Sequence, residues 1–266
     1  MRATQWLIAL ILGLLLTGCV GMSIAPTPEA RQALAPTGKL RVGLLLGDST
    51  QAIKDSASGE MKGVGFDLGK ELARRMSVPF EPVLYPSIAA LLDSGKAGAW
   101  DVAFIGVTPA RAKEWDFAAP HLEVEFGYLV PAGSAISTMA DVDRPGIRVA
   151  VQERSGPDAF LSSALKNAMV VRTANYSGAL EMEKSGKADV VFSIKPILFE
   201  LSSQSPGSRV LDGSPGTVPQ AMARPKGRDL GGAYAHGFIE DAKAEGLVKA
   251  AAQRSGLRGV VFAPLR

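Results

Sequence analysis

Apolar runs of strand length alternate along this chain with segments whose apolar residues recur every fourth position, and the pattern is laid down twice. Residues 39–46 (KLRVGLLL) form a near-continuous apolar run, as expected for a parallel strand covered on both faces. A polar loop runs from Gly47 to about Lys62. Val64, Leu68, Leu72 and Met76 then repeat at helical spacing, with Lys70, Glu71, Arg74 and Arg75 on the other face. A strand at 80–84 precedes Ser87, which suits the N-cap of a helix carrying Ile88, Leu91 and Leu92 and ending at Gly95. The next strand, 101–107, buries Val102, Phe104, Ile105 and Val107; another, 124–130, leaves in extended form. After Val130 come a strand at 147–151, a helix opened by Ser155-Gly156-Pro157-Asp158, a strand at 170–172, a helix at 177–184 and a strand from Asp189. Such alternation predicts an α/β fold with two units in series.

The chain has 266 residues, 47% of them apolar, enough for one large or two small domains with real cores. Its charge of +3 is spread evenly, and no Lys/Arg run is interleaved with aromatic residues. Nucleic-acid binding therefore has no footprint here. Residues 63–68 (GVGFDL) superficially match a dinucleotide fingerprint, but Leu68 stands where the third glycine belongs, so no cofactor is expected. The single cysteine and two histidines offer no metal cluster and no nucleophile–base pair.

Residues 1–18 read as a signal peptide: Arg2 is the charged start, and the apolar stretch from Trp6 to Leu16 is short for a transmembrane helix. The segment ends Leu16-Thr17-Gly18-Cys19, which resembles the bacterial lipobox. Cys19 is the only cysteine, which rules out an intramolecular disulfide and makes best sense as a lipidation site. Residues 19–37, rich in Pro, Ala and Thr without periodicity, are expected to be a tether.

The turn after the 101–107 strand delivers Arg111 beyond the strand's carboxyl end, where open α/β sheets hold ligands. There a guanidinium can grip a carboxylate bidentately; alternatively, Arg111 is a surface charge paired with Glu114 or Asp116. The run Thr108-Pro109-x-Arg111, followed by Asp116-Phe117-x-x-Pro120, resembles the signature of the family 3 extracellular solute-binding proteins, receptors of amino-acid-type ABC importers. His121 stands where that family usually has Tyr. The resemblance covers about residues 38–256 and implies a two-lobed periplasmic-binding-protein fold of type II, the Venus flytrap. Lobe 1 would be discontinuous, 38–130 plus 224–266, with lobe 2 at 131–223 and a two-strand hinge between them.

The resemblance also implies the ligand site. Arg111 would take a ligand carboxylate, with Thr108 and the backbone of Gly106 beside it; Gly106 replaces a hydroxyl residue and would leave room for a larger ligand head. Phe104 likewise replaces a small polar residue. Ser155 opens the second-lobe helix as an anion site, a simple cap, or both, and Arg154 replaces the family's glycine, either charging the cleft or pointing outward. Phe66 packs either on the ligand or on the core. Ile194 falls on the aspartate that pairs with a ligand's α-ammonium in the family. A buried ammonium without its carboxylate costs about 3–5 kcal/mol, roughly two to four decades of affinity, unless Asp48, Asp158 or Glu153 substitutes. The expected ligand is a small carboxylate with no required α-amine; Lys195 and Gln220 are candidates for specificity. The implied protein is a monomeric, lipid-anchored receptor that closes around its solute and docks on an ABC permease. Its alternatives are a periplasmic enzyme of the same fold, a cyclohexadienyl-type dehydratase, or a sensor without a transporter.

Overall fold

The computed structural model of the protein describes residues 25–55 and 57–265. The signal segment and Cys19 lie outside the described residues. The first element corrects the tether expectation. Helix α1 (Pro28–Leu34) is capped by Thr27, whose hydroxyl accepts from the Ala30 N–H, and it carries Pro at its start and Glu29 in its first turn. Leu34 is fully buried against Gly231, so the stretch from Thr27 onward is packed structure.

Strand β1 (Leu40–Leu45) leads through a hairpin of β2 (Ile53–Lys54) and β3 (Met61–Lys62) into helix α2 (Val64–Arg75). Val64, Leu68, Leu72 and Met76 are all at most 1% exposed, as the four-residue spacing predicts. The polar loop before α2 is not solvated throughout: Asp48, Ser49, Thr50 and Gln51 are buried. Strand β4 (Phe80–Tyr85) and helix α3 (Ile88–Lys96) follow, the latter capped by Ser87 through the Ala90 N–H. Gly95 does not end that helix. It lies within it because the Trp100 indole sits where a Cβ would be, only 2.2 Å away. Next come β5 (Val102–Gly106), α4 (Pro109–Glu114) and β6 (Trp115–Val130). Strand β6 starts earlier than expected, so His121 lies within it, mid-strand.

The second α/β set comprises β7 (Arg148–Gln152), α5 (Gly156–Ala164), β8 (Met169–Thr173), α6 (Tyr176–Lys184), β9 (Val190–Ile194), α7 (Lys195–Ser203) and β10 (Arg209–Val210). Then β11 (Thr217–Pro225) runs back, followed by α8 (Gly232–Ala244), α9 (Leu247–Arg254) and β12 (Val260–Phe262).

Strand order is β4-β1-β5-β11-β6-β9-β7-β8. The outer trios β4-β1-β5 and β9-β7-β8 are parallel, as βαβ crossovers require. Antiparallel β6 and β11 join them: β11 pairs with β5 from Gln220↔Gly106 to Ala223↔Ala103, and β6 pairs with β9 from Phe126↔Ile194 to Leu129↔Val191. The result is two α/β lobes of the type II flytrap architecture, with two strands passing between them.

Helices α8 and α9, divided by Gly246 at φ 76°, pack on α2 of lobe 1. Arg75 of α2 reaches Glu245 at 2.5 Å and lies 5.4 Å over the Phe238 ring, and Arg254 pairs with Asp67. Each lobe is also stapled at the amino ends of its parallel strands. In lobe 1, Arg41 N and Nε donate to Asp101 Oδ2 at 3.0 Å each, and Nη2 donates to Oδ1 at 2.8 Å. In lobe 2, Arg148 N and Nε donate to Asp189 Oδ2 at 2.8 and 3.0 Å, and Nη2 to Oδ1 at 2.8 Å.

Candidate functional site

The carboxyl ends of β1, β5, β8 and β9, with the start of α5, meet at a cavity of about 30 Å³ between the lobes. That is space for a water or two, so the cleft between the lobes is shut.

Arg111 reaches this cavity because Thr108 caps α4 by accepting from the Arg111 N–H at 3.2 Å, with Pro109 at the helix start. Its side chain is buried, 7% exposed, with Nη1 donating to Gly106 O at 2.8 Å and Nη2 to Arg154 O at 3.1 Å. The surface-pair alternative does not hold. Glu114 pairs with Lys96 and Asp116 with Arg224, and no ion pair among the described residues includes Arg111. Burial lowers the guanidinium to about 10, the nearby Tyr176 opposing this and the Arg154 charge adding to it.

The cavity brings together Asp48, Gly106, Arg111, Ser155, Ile194 and Gln220. Gly106 leaves no spare room: a Cβ there would meet Val218 at 3.0 Å, Gln220 Nε2 at 3.3 Å and Arg111 Nη1 at 3.4 Å. The Ser155 hydroxyl is committed, donating to Gln152 O at 2.7 Å and accepting from Asp158 N at 3.1 Å. Asp48 accepts from Thr50 N at 2.8 Å, Thr50 Oγ1 at 2.6 Å and Gln51 Nε2 at 3.3 Å. Burial nevertheless raises its carboxyl to about 6.

Six expected residues lie elsewhere: Phe66, Phe104, Thr108, Glu153, Asp158 and Lys195. Phe66 stacks edge-on against Phe80, ring centres 5.2 Å apart, inside lobe 1. Thr108 and Asp158 line a separate outer cavity of about 240 Å³ at the cleft mouth, which shares Arg111 and Ser155 with the inner one. Asp158 is held by Arg172 at 2.9 Å and Arg154 N at 3.0 Å, and Glu153 is exposed. Of the three acids considered as substitutes, Asp48 is the one facing the inner cavity. Lys195 pairs with Glu125 at 2.7 Å, outside both cavities, and Phe104 is core, edge-on to His121.

Sequence reasoning missed Tyr176 and Gln51 in the inner cavity. Tyr176 follows the carboxyl end of β8, so the rule that located Arg111 could have found it. Burial raises its phenol, with Asp48 adding to the effect and Arg111 opposing it. The phenol therefore lies within electrostatic reach of both charges.

Residues 40–253 match the profile of the bacterial extracellular solute-binding proteins, family 3. The ABC transporter glutamine-binding protein GlnH of Bacillus subtilis is 25% identical over 252 residues, covering 90% of this chain and 91% of the relative. An amino acid ABC transporter substrate-binding protein from Streptococcus pneumoniae, solved bound to L-arginine, superposes with a TM-score of 0.73 at 20% identity, over 88% of this chain and 99% of that one. A membrane-bound lytic murein transglycosylase F of Shewanella oneidensis is 34% identical over 119 residues, 44% of this chain and 24% of that enzyme. No cluster of metal-holding residues occurs among the described residues. With the profile spanning both lobes and the hinge strands, the chain belongs to the family 3 bacterial extracellular solute-binding proteins.

Proposed function

We propose that this protein is a lipid-anchored extracytoplasmic receptor that captures a small carboxylate-bearing solute between its lobes and delivers it to an ABC-type permease. The observation that carries the reading is Arg111: a buried cation at a closed interlobe cavity, held by two carbonyl oxygens and by no carboxylate among the described residues. A solute carboxylate would supply the missing anion with charge-assisted hydrogen bonds. Ile194 gives that end of the site an apolar wall, so an α-ammonium is not required; Asp48 is the acid a cationic group elsewhere on the solute would meet. The anchor rests on the lipobox-like segment ending at Cys19. Lobe closure rests on the hinge formed by β6 and β11.

A thermal-shift panel pairing each α-amino acid with its deaminated carboxylate tests this. At one hundred times Kd a ligand adds about 2.7 kcal/mol, or roughly 5–10 °C at about 2–4 °C per kcal/mol. Stabilisation by the deaminated partners is the expected result, and Arg111→Ala should abolish it with the unliganded melt little changed. A large drop in the unliganded melt, or stabilisation by α-amino acids alone, would count against the reading.

A further inference from the structure

We propose that Arg154 is a clamp residue, fastening lobe 2 to lobe 1 across the cleft mouth and setting how long a solute is held. The inference rests on the receptor reading above. Arg154 sits at φ 58°, in the left-handed region that residues with a Cβ seldom occupy. Three contacts hold it there. Its N–H donates to Asp158 Oδ2 at 3.0 Å, and Asp158 is in turn tied to Arg172, which fixes the turn to lobe 2. Its carbonyl accepts from Arg111 Nη2 at 3.1 Å, a bond from lobe 1. Its guanidinium forks onto Asp93 of α3, also in lobe 1, with Nη1–Oδ2 and Nη2–Oδ1 both 2.8 Å.

A solvated arginine has no need of a left-handed backbone, and a glycine would take that turn without strain. Here the strained turn is combined with a bidentate pair to a residue 61 positions away on the other lobe. Arg111 links the clamp to the site: the guanidinium assigned to the solute carboxylate also holds the Arg154 carbonyl. Occupancy and closure therefore act on the same side chain. The Arg154 and Asp93 side chains are 42% and 59% exposed, so salt will loosen the clamp. Lys96 and Glu114, which line the outer cavity, are paired with each other, and their charges also act on Asp93 and Arg154.

Spin labels report the clamp without a solute. The full chain with Cys19→Ser carries no other thiol, so Lys113→Cys on α4 and Lys166→Cys just after α5, both exposed and on different lobes, can be labelled to read the interlobe distance. In low salt the parent should show a short interlobe distance. Arg154→Gly, which suits the left-handed turn but lacks the side chain, should lower the closed-to-open ratio about fivefold. Asp93→Arg should do the same, the double exchange Arg154→Asp with Asp93→Arg should recover the short distance, and about 1 M salt should mimic Arg154→Gly in the parent. A distance distribution indistinguishable between the parent and Arg154→Gly overturns the clamp. The carboxylate panel is read separately: ligand stabilisation with unmoved distances removes the clamp and keeps the receptor. Distances that respond as described with no carboxylate bound keep the clamp and remove the carboxylate reading.

Discussion

The two lobes carry the same fork of hydrogen bonds in different surroundings. Each joins an arginine at the start of the middle parallel strand to an aspartate just before the next. The aspartate N–H also returns to the arginine carbonyl, at 2.8 Å in lobe 1 and 2.9 Å in lobe 2. The Asp189 side chain is 31% exposed and has one arginine. The Asp101 side chain is fully buried and takes a second arginine, Arg228, at 3.0 Å. Arg228 precedes α8, so the lobe 1 fork also ties down the segment that returns from lobe 2. One local motif thus seals a strand edge in one lobe and joins distant parts of the chain in the other. Both forks sit at the amino ends of the strands, away from the cleft, and their variants should change stability before binding.

Asp101→Asn should therefore have the largest effect. Losing the anion of a buried pair costs about 3–5 kcal/mol, and the melting temperature should fall by roughly 10 °C or more. A drop no larger than that of Asp189→Asn would break the contrast. Next comes the charged wall of the cleft, which also belongs to lobe 1. Asp48 ionises near 3.8 when unfolded and at about 6 when folded. As pH rises between those values the unfolded chain has already released its proton, so stability is lost and the full penalty stands above about pH 6. Asp48→Asn should then stabilise the unliganded protein by about 2–3 kcal/mol at neutral pH and by nothing below about pH 4. Asp67 is raised to about 6 by burial as well, so the readout is the difference between parent and variant melts across pH.

His121 works in the opposite direction. Fully buried, both ring nitrogens without a hydrogen bond, it is depressed to about 3 by desolvation, with the Lys243 charge adding to the effect. Below pH 6.5 the unfolded chain takes up the proton that the folded lobe refuses. About 2 kcal/mol should be gone by pH 5. His121→Leu should flatten that acid limb in chemical denaturation; an unchanged slope would mean that the imidazole takes up its proton while folded. Smallest is Asp189→Asn, about 1 kcal/mol, because the partly exposed Arg148 can turn to water. A larger loss would show that the two forks do equivalent work.

Much of this was legible in the residues. The apolar spacing of α2, the Ser87 cap and the Thr-Pro-x-Arg turn each depend on neighbours a few positions away, and local chemistry settles such features. The site was legible in part for the same reason. Gly106, Arg111, Ser155 and Ile194 sit at the ends of recognisable strands or at a helix start. The burial of Asp48 and Gln51 was hidden because a polar loop folded over a cavity has the composition of a solvated one. The α8–α9 return onto lobe 1 was reachable only through the family resemblance, and the Arg154–Asp93 pair was hidden, because both join residues distant in sequence. Helix α1 is different: Thr27-Pro28-Glu29 is a helix start in its own right, obscured by the proline- and alanine-rich composition around it.

That helix has a mechanical consequence. Ala30 and Leu34 are buried, and α1 packs where the chain turns into α8, on lobe 1. Any pull from the amino-terminal side therefore loads lobe 1 first. Lobe 2 is joined to it in the chain by β6 and β11, and across the cleft mouth by the Arg154 contacts. In the receptor proposed above, lobe 1 would be the stator and lobe 2 the moving jaw, so opening and closing would not drag the mooring with them.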